Sequence, residues 1–213
     1  MVDKNLYNVY GLSMKLLGYE KSTFNFVNKL HLDCHANSRI LDVGCGTGVV
    51  GLSLMSKFPQ STLLATDTHK KLLHQVTANA KKYGLDVSRI SLGLSDITLP
   101  DKVTLTHDSL SLLQPNHFDI VSASSVIGYS KNQERTIKKL LSLIKPGGYF
   151  INMEMNEHLL GRWISHGYHY PMMPLLNMTK IIESERFHVE SIPLTMRCFP
   201  TNITRICFIA QKQ

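Results

Sequence analysis

Ile40-Leu41-Asp42-Val43-Gly44-Cys45-Gly46-Thr47-Gly48-Val49-Val50-Gly51 decides how the rest of this sequence is read. A short apolar run ends in three glycines at alternate positions, and a helix-like apolar pattern follows directly. Glycine has no Cβ, so a ligand can lie against the main chain there, and left-handed turn angles cost little. The N–H groups that open the next helix lack partners within it and carry partial positive charge, which suits an anionic or ribose-bearing ligand. Strand, glycine loop and helix together read as a cradle for a nucleotide-type cofactor. The bland reading is a tight turn with no ligand.

Working outward from this loop, strand and helix alternate. Arg39–Val43 is a buried strand, and Val49–Lys57 is a helix stopped before Pro59, because proline disfavours helix at the residue preceding it. Thr62–Asp67 is a second strand ending in an acid. Thr68 is placed to cap a helix that runs to Tyr83 and stops at Gly84. Phe118–Ser124 is a further buried strand, Asn132–Ile144 an amphipathic helix, and Tyr149–Met155 a strand entered through Lys145-Pro146-Gly147-Gly148. This alternation predicts a mostly parallel α/β sheet with helices on both faces and a ligand edge at the carboxyl ends of the strands. Past Pro174 and its helix, His188–Met196 and Ile203–Gln211 have no helix between them, so they pair as a hairpin and one runs against the rest. Upstream, residues 1–37 read as a helical cap, and 38–213 as the cofactor-binding domain. In that cap Tyr7 and Tyr10 either pack on the core or close over a ligand.

The chain has 213 residues and 43% hydrophobic content, which suits one substantial domain. No apolar stretch approaches the ~20 residues of a membrane span, and Met1–Tyr10 has no apolar core suited to export. Cys34, Cys45, Cys198 and Cys207 are scattered, which fits reduced thiols and a cytoplasmic location. The net charge of +7 comes largely from lysine pairs on helical surfaces, such as Lys70/Lys71, Lys81/Lys82 and Lys138/Lys139. That pattern, with no basic run interleaved with aromatics, argues against nucleic acid as the partner. A monomer or a homodimer is expected.

Gly46-x-Gly48-x-x-Gly51 with Asp67 twenty-one residues past Gly46 also matches a dinucleotide fingerprint, which would make the chain an NAD(P)-dependent reductase. Three features point elsewhere: Asp42 directly ahead of the loop, Lys145-Pro146-Gly147-Gly148, and a closing hairpin in place of a substrate domain. With these, the chain resembles a class I S-adenosylmethionine-dependent methyltransferase over roughly residues 38–211. The resemblance implies a Rossmann-like seven-stranded sheet, mostly parallel, with an antiparallel C-terminal strand. It implies S-adenosyl-L-methionine as cofactor, with Asp42, Gly44, Gly46 and Gly48 forming the methionine-side loop and Asp67 accepting both ribose hydroxyls. Thr68 beside Asp67 and Ser122 and Ser124 at the end of the fourth strand complete the expected cofactor set.

The family's third acid, on the adenine side, has two candidates. Counting back from Phe118 gives Asp108 and Ser109 after the strand-like Val103–Thr106; counting forward from Asn79 gives Asp96 after Ile90, Leu92 and Leu94. The shorter spacing to the next strand selects Asp108, with Asp96 as the alternative. A methyl on a sulfonium is already activated, so a general base is needed only if the acceptor must lose a proton. Candidates for that base are His158, His166, Tyr168, His169 and Tyr170, with His166, Tyr168 and His169 put first, in a segment, 156–174, whose two glycines and two prolines suggest a lid or substrate wall and not a core helix. No third ligand stands at a suitable spacing from His166 and His169, so no metal is expected. The segment Ser122–Ile127 lacks the signatures of adenine, glutamine and cytosine-carbon methylases, which leaves a small-molecule acceptor as the first reading. A protein or RNA acceptor, or a non-catalytic cofactor-binding role, is the alternative.

Overall fold

The computed structural model describes residues 18–105 and 109–213. From the amino end come α1 (Tyr19–Lys29), β1 (Arg39–Val43), α2 (Val49–Lys57), β2 (Thr62–Asp67), α3 (Lys70–Lys82) and β3 (Ile90–Leu94). There follow β4 (Lys102–Leu105), β5 (Leu110–Leu112), β6 (Phe118–Ser124), α4 (Gln133–Ser142) and β7 (Ile144–Met155). The carboxyl third holds α5 (Leu159–Gly167), α6 (Leu175–Ser184), β8 (Phe187–Pro193) and β9 (Arg205–Lys212).

All nine strands join one sheet in the order β5-β4-β3-β2-β1-β6-β7-β9-β8. β3, β2, β1, β6 and β7 run parallel, and β9 runs against both β7 and β8, so the tail hairpin forms as expected. The sheet is two strands larger than the seven expected. The additional pair is the antiparallel β4–β5 hairpin, which adds to the outer edge of β3. This pairing corrects the preference for Val103–Thr106 as the third parallel strand: Ile90–Leu94 pairs in parallel with β2, while β4 runs the other way. Spacing to the next strand misled because the hairpin, and not an extended loop, fills the distance. Asp108 lies outside the described residues, as do Tyr7, Tyr10 and the rest of the expected cap up to residue 17.

The core has one layer on each face of the sheet. On one face α1, α2 and α3 bring Phe26, Val27, Leu52, Leu54, Val76 and Ala80 onto Ile40, Leu63 and Ile120. On the other, Ile137, Leu140 and Leu141 of α4 and Met178 and Ile182 of α6 cover Leu41, Val43, Val121 and Phe150. Each large aliphatic or aromatic side chain fully buried in this way contributes about 1.5–3 kcal/mol.

Local signals set the helix ends. α2 starts at Gly48, whose φ of 82° is left-handed, and ends before Pro59. α3 ends in a Schellman turn, with Leu85 N–H on Ala80 O at 2.9 Å and Gly84 at φ 69°. Its start differs from expectation: the N-cap is His69, and the Thr68 hydroxyl bonds the His69 ring at 2.9 Å instead of capping the backbone. Residues 156–174 also differ, because α5 is a helix despite its glycines. Gly161 sits inside it for a packing reason, since a Cβ there would run into the Asn156 carbonyl. Pro171 and Pro174 fall after the helix and do not break it.

Candidate functional site

Gly44, Gly46 and Gly48 have φ of 61°, 55° and 82°, so the loop after β1 turns three times through angles that L side chains rarely adopt. Main-chain bonds hold it down on β2: Cys45 N–H donates to Thr66 O at 2.9 Å, and Gly48 N–H closes back on Cys45 O at 2.8 Å. From α3, Asn79 Nδ2 donates to Thr47 O at 2.9 Å. A Cβ at Gly44 would overlap Val126, whereas one at Gly46 would meet nothing within 4 Å. Gly44 is therefore glycine because of the protein, and Gly46 leaves bare main chain facing open space. Burial pushes the Cys45 thiol well above its ordinary range, so it stays protonated within the loop.

The two aspartates of the motif do different work. Asp42 is 2% exposed and has both oxygens occupied: Oδ2 accepts from Gly51 N–H at 3.0 Å and Oδ1 from the Ser122 hydroxyl at 2.7 Å. Burial raises its carboxyl from 3.8 to about 6; the bonds from Ser122 and Gly51 oppose the rise and nearby Asp67 adds to it. Gly51 has to be glycine here, since a Cβ would stand 2.8 Å from Asp42 Oδ2. Asp67, at the end of β2, accepts from Gly46 N–H on Oδ2 at 3.0 Å and from His69 N–H on Oδ1 at 2.9 Å. It thus ties the glycine loop to the second strand; Oδ1 also faces the His69 ring nitrogen at 3.3 Å, while Oδ2 has Gly46 N–H as its one protein donor among the described residues.

At the end of β3, Ser95 N–H donates to Asp67 O at 3.2 Å, and Asp96 follows, lining a cleft with Thr68, Leu94 and Leu110. Asp96 is exposed, and hydrogen bonds from Thr98 hold its carboxyl below the ordinary range. Ser109 is elsewhere: its carbonyl accepts from Leu105 N–H in the turn of the β4–β5 hairpin, two strands out from β2. Ser122 is fully buried with its hydroxyl on Asp42, so it supports the site from beneath. Ser124, at the end of β6, and Ser95 both have buried hydroxyl oxygens with no hydrogen-bond partner. Unpaired buried polar atoms are costly, and these two stand at the carboxyl ends of β6 and β3, the sheet edge that also carries the glycine loop. Bare backbone, two orphaned hydroxyls and the acids Asp67 and Asp96 at adjacent strand ends fit an adenosyl cofactor.

The expected base candidates spread around the end of α5. His166 and His169 are exposed, and Tyr168 is half-buried at the helix C-cap. The pair that the structure does bring inside is Tyr170 with Glu154, the latter not foreseen from sequence. Tyr170 is 5% exposed; its hydroxyl donates to Glu154 Oε2 at 2.8 Å and accepts from Gly128 N–H at 3.0 Å. Glu154 Oε1 accepts from Met155 N–H at 2.8 Å. Burial pushes the Glu154 carboxyl up, against these bonds and the nearby Arg205 charge. Burial and then the Glu154 charge push the Tyr170 phenol far up as well, so it keeps its proton and acts as a donor. The available signal was a single acid in the otherwise uncharged run Tyr149–Met155. The pair positions the turn after β6, where the Tyr129 and Tyr170 rings meet edge to face with centroids 5.0 Å apart.

A family model described as a methyltransferase domain matches residues 34–189. The chain is 26% identical over 154 residues to a demethylmenaquinone methyltransferase of Leptospira interrogans, covering 71% of this chain and 54% of that protein. It is 22% identical over 137 residues to a ubiquinone biosynthesis O-methyltransferase of Burkholderia thailandensis, covering 60% of this chain and 50% of that one. The chain therefore spans about half the length of these relatives. Among solved structures, an O-methyltransferase family protein from Burkholderia thailandensis superposes with a TM-score of 0.71 at 14% identity, over 91% of this chain and 56% of that one. An S-adenosylmethionine-dependent methyltransferase from Aquifex aeolicus superposes at 0.58 and 16% identity, over 94% and 92%. With the domain match covering most of the sequence and the glycine loop and strand-end acids in place, this chain belongs to the class I S-adenosylmethionine-dependent methyltransferases.

Proposed function

We propose that the protein transfers a methyl group from S-adenosylmethionine to a small, largely apolar acceptor. The observation that carries this reading is the left-handed glycine loop fastened through Gly46 N–H to the Asp67 carboxylate at 3.0 Å, with open space over Gly46. Asp67 would hold the ribose, Asp96 and Ser95 the adenine side, and the main chain at Gly44–Gly48 the methionine part. When bound, the cofactor supplies a methyl group already activated on its sulfonium. The residues of this chain would then orient the acceptor and exclude water.

Support for an apolar acceptor comes from the wall beyond β6 and β7. Met155, Ile164 and Tyr170 pack together there with Tyr168 and Met172 partly buried against them. The names of the quinone methyltransferases among the relatives point the same way. His166, Tyr168 or His169 would serve as base only for an acceptor that must lose a proton. In this reading the segment before Ser38 acts as a cap. The protein works in the cytoplasm as a monomer or homodimer, and nucleic acid is not its substrate. Among the described residues no helix is long and apolar enough to cross a membrane.

Calorimetry with S-adenosylhomocysteine and with NAD tests the cofactor assignment. Binding of the first alone is expected. Asp67→Ala should weaken it by at least about 100-fold, since two hydrogen bonds to a charged acceptor are lost at about 1.5–3 kcal/mol each and the loop loses its tie. Asp96→Ala should weaken it about tenfold, and Ser109→Ala should leave it unchanged. Undiminished binding by the Asp67 variant would refute the assignment. Methyl transfer to hydroquinones, set against peptide and RNA pools, tests the acceptor class; transfer to a macromolecular pool alone would overturn that part.

A further inference from the structure

We propose that the carboxyl edge of this protein docks on the surface of an anionic lipid bilayer through α5 and the turn between β8 and β9. The inward face of α5 is settled by burial of Gly161, Ile164 and Ser165 against the end of β7, so the helix cannot roll to hide its other side. That other side is apolar. Leu159 is 88% exposed and Trp163, one turn on, 57%, with Leu160 exposed beside them. Arg162 and His166 are exposed along the flank of the same stripe. A helix whose outward face carries leucine and tryptophan bordered by cations has the pattern of an interfacial helix.

A second apolar segment stands on the same edge. β8 runs parallel to β7, since both pair antiparallel with β9, and so the connection leaving β8 emerges where α5 begins. In that connection Met196 is 77% exposed, and Phe199 and Ile203 are exposed as well. Asn156, three residues before α5, stitches the two segments together: its N–H donates to Thr204 O at 2.9 Å and its Nδ2 to Ile203 O at 3.0 Å. Scattered exposed apolar residues are ordinary, but six large ones along one edge of the sheet call for an occupant.

Charge decides the occupant. No Asp or Glu occurs from His158 to Ile182 or from Ser191 to Gln213, in a chain with net charge +7. Arg162 and Arg197, both exposed, lie within the apolar segments. Glu157, the acid nearest to α5 in sequence, accepts from Leu175 N–H on α6. An apolar patch bordered by Arg162 and Arg197, with Glu157 as the one acid beside α5 in sequence, complements a lipid surface bearing negative headgroups, where both burial and electrostatic attraction act. Tryptophan is favoured at the headgroup level of such a surface.

Trp163 is the one tryptophan in the chain, so the protein carries its own reporter. Vesicles of phosphatidylcholine, with and without phosphatidylglycerol, are added to the full chain without cofactor, so the outcome is independent of methyl transfer. The emission should move to shorter wavelength and the protein should float with the vesicles only when phosphatidylglycerol is present, and raised salt should weaken both effects. Leu159→Ser with Leu160→Ser should lower co-flotation at least about tenfold, given the apolar burial lost. Leu110→Ser with Leu112→Ser, exposed on the opposite sheet edge, should leave it unchanged. Unshifted emission and no flotation with anionic vesicles overturn the proposal. So does emission that is already blue without vesicles, which would mean another part of the chain covers Trp163. A concentration-dependent dimer abolished by the α5 substitutions, without flotation, would likewise overturn it in favour of a second copy.

Discussion

Replacing Asp42 with asparagine is expected to stabilise this protein at pH 8 and to destabilise it slightly at pH 4. The Asp42 carboxyl is raised from 3.8 to about 6, chiefly because it is buried away from solvent. The native state therefore holds this proton more tightly than the unfolded chain does. The corresponding stability is fully present below pH 3.8 and is lost as the pH rises through about 6. The gap between those two values amounts to about 3 kcal/mol. Asparagine does not ionise and loses nothing over this range. Its carbonyl can take over the Gly51 N–H, and its amide can donate to Ser122 Oγ, which then turns its own proton to Leu41 O, 3.4 Å away. That last contact is long, so the exchange costs about 1 kcal/mol. The variant should then be about 0.5 kcal/mol less stable at pH 4, where part of the linked stability is already gone, and about 2 kcal/mol more stable at pH 8. Urea unfolding of both proteins, followed by circular dichroism in steps from pH 4 to pH 8, measures the difference directly. A difference that stays flat with pH would refute the reasoning. A variant that loses ground as pH rises would do so more sharply, since it would mean that Ser122 and Gly51 hold Asp42 ionised.

Gly44→Ala places a side chain at φ 61° and against Val126, so it should cost more than the ~1–2 kcal/mol of a left-handed residue alone. Adding Val126→Ala should recover the steric part and leave the backbone part, which melting temperatures of the single and double variants would separate. Tyr170→Phe removes the donor to Glu154 and the acceptor for Gly128 N–H, at an expected cost of about 2–3 kcal/mol. Because Glu154 is raised by burial, its favourable contribution is lost as pH rises through its native value, and the missing Tyr170 bond would have opposed that rise. The Tyr170→Phe penalty should therefore grow as pH rises through the Glu154 titration; a penalty that stays flat with pH would refute this coupling.

Much of this architecture was legible from residue pattern because the physics behind it is local. The glycines at 44, 46 and 48 take the left-handed angles that only their missing Cβ makes cheap, and Pro59 and Gly84 end helices where their backbone chemistry says they should. Pairings between distant segments were less accessible. Ile90–Leu94 and Val103–Thr106 have similar β-forming composition, and only hydrogen bonding to β2 separates the parallel strand from the antiparallel hairpin. Gly161 reads as a helix breaker in sequence, yet it is the residue that lets α5 approach Asn156. Ser122 read as a cofactor neighbour because its strand ends at the ligand edge; its depth, two residues below that edge, makes it a partner of Asp42. Glu154 was overlooked because a lone acid in a strand has no periodicity to reveal it. Its partner Tyr170 lies sixteen residues away across a helix.

The division of labour between Asp42 and Asp67 explains why the cradle is built before any ligand arrives. Asp42 lies buried one level below the loop, where its oxygens meet Gly51 N–H and the Ser122 hydroxyl, so it sets the height of α2 over β1. Asp67 stands at the strand end and draws Gly46 toward β2. A loop held at four points, by Thr66, Cys45, Asp67 and Asn79, has little conformational freedom left to lose on binding. Substitutions in the lower layer, at Asp42 or Ser122, should consequently move stability while leaving cofactor affinity nearly unchanged. On the proposed assignment, substitution of Asp67 should move both together, because one carboxylate would serve the loop and the ligand at once.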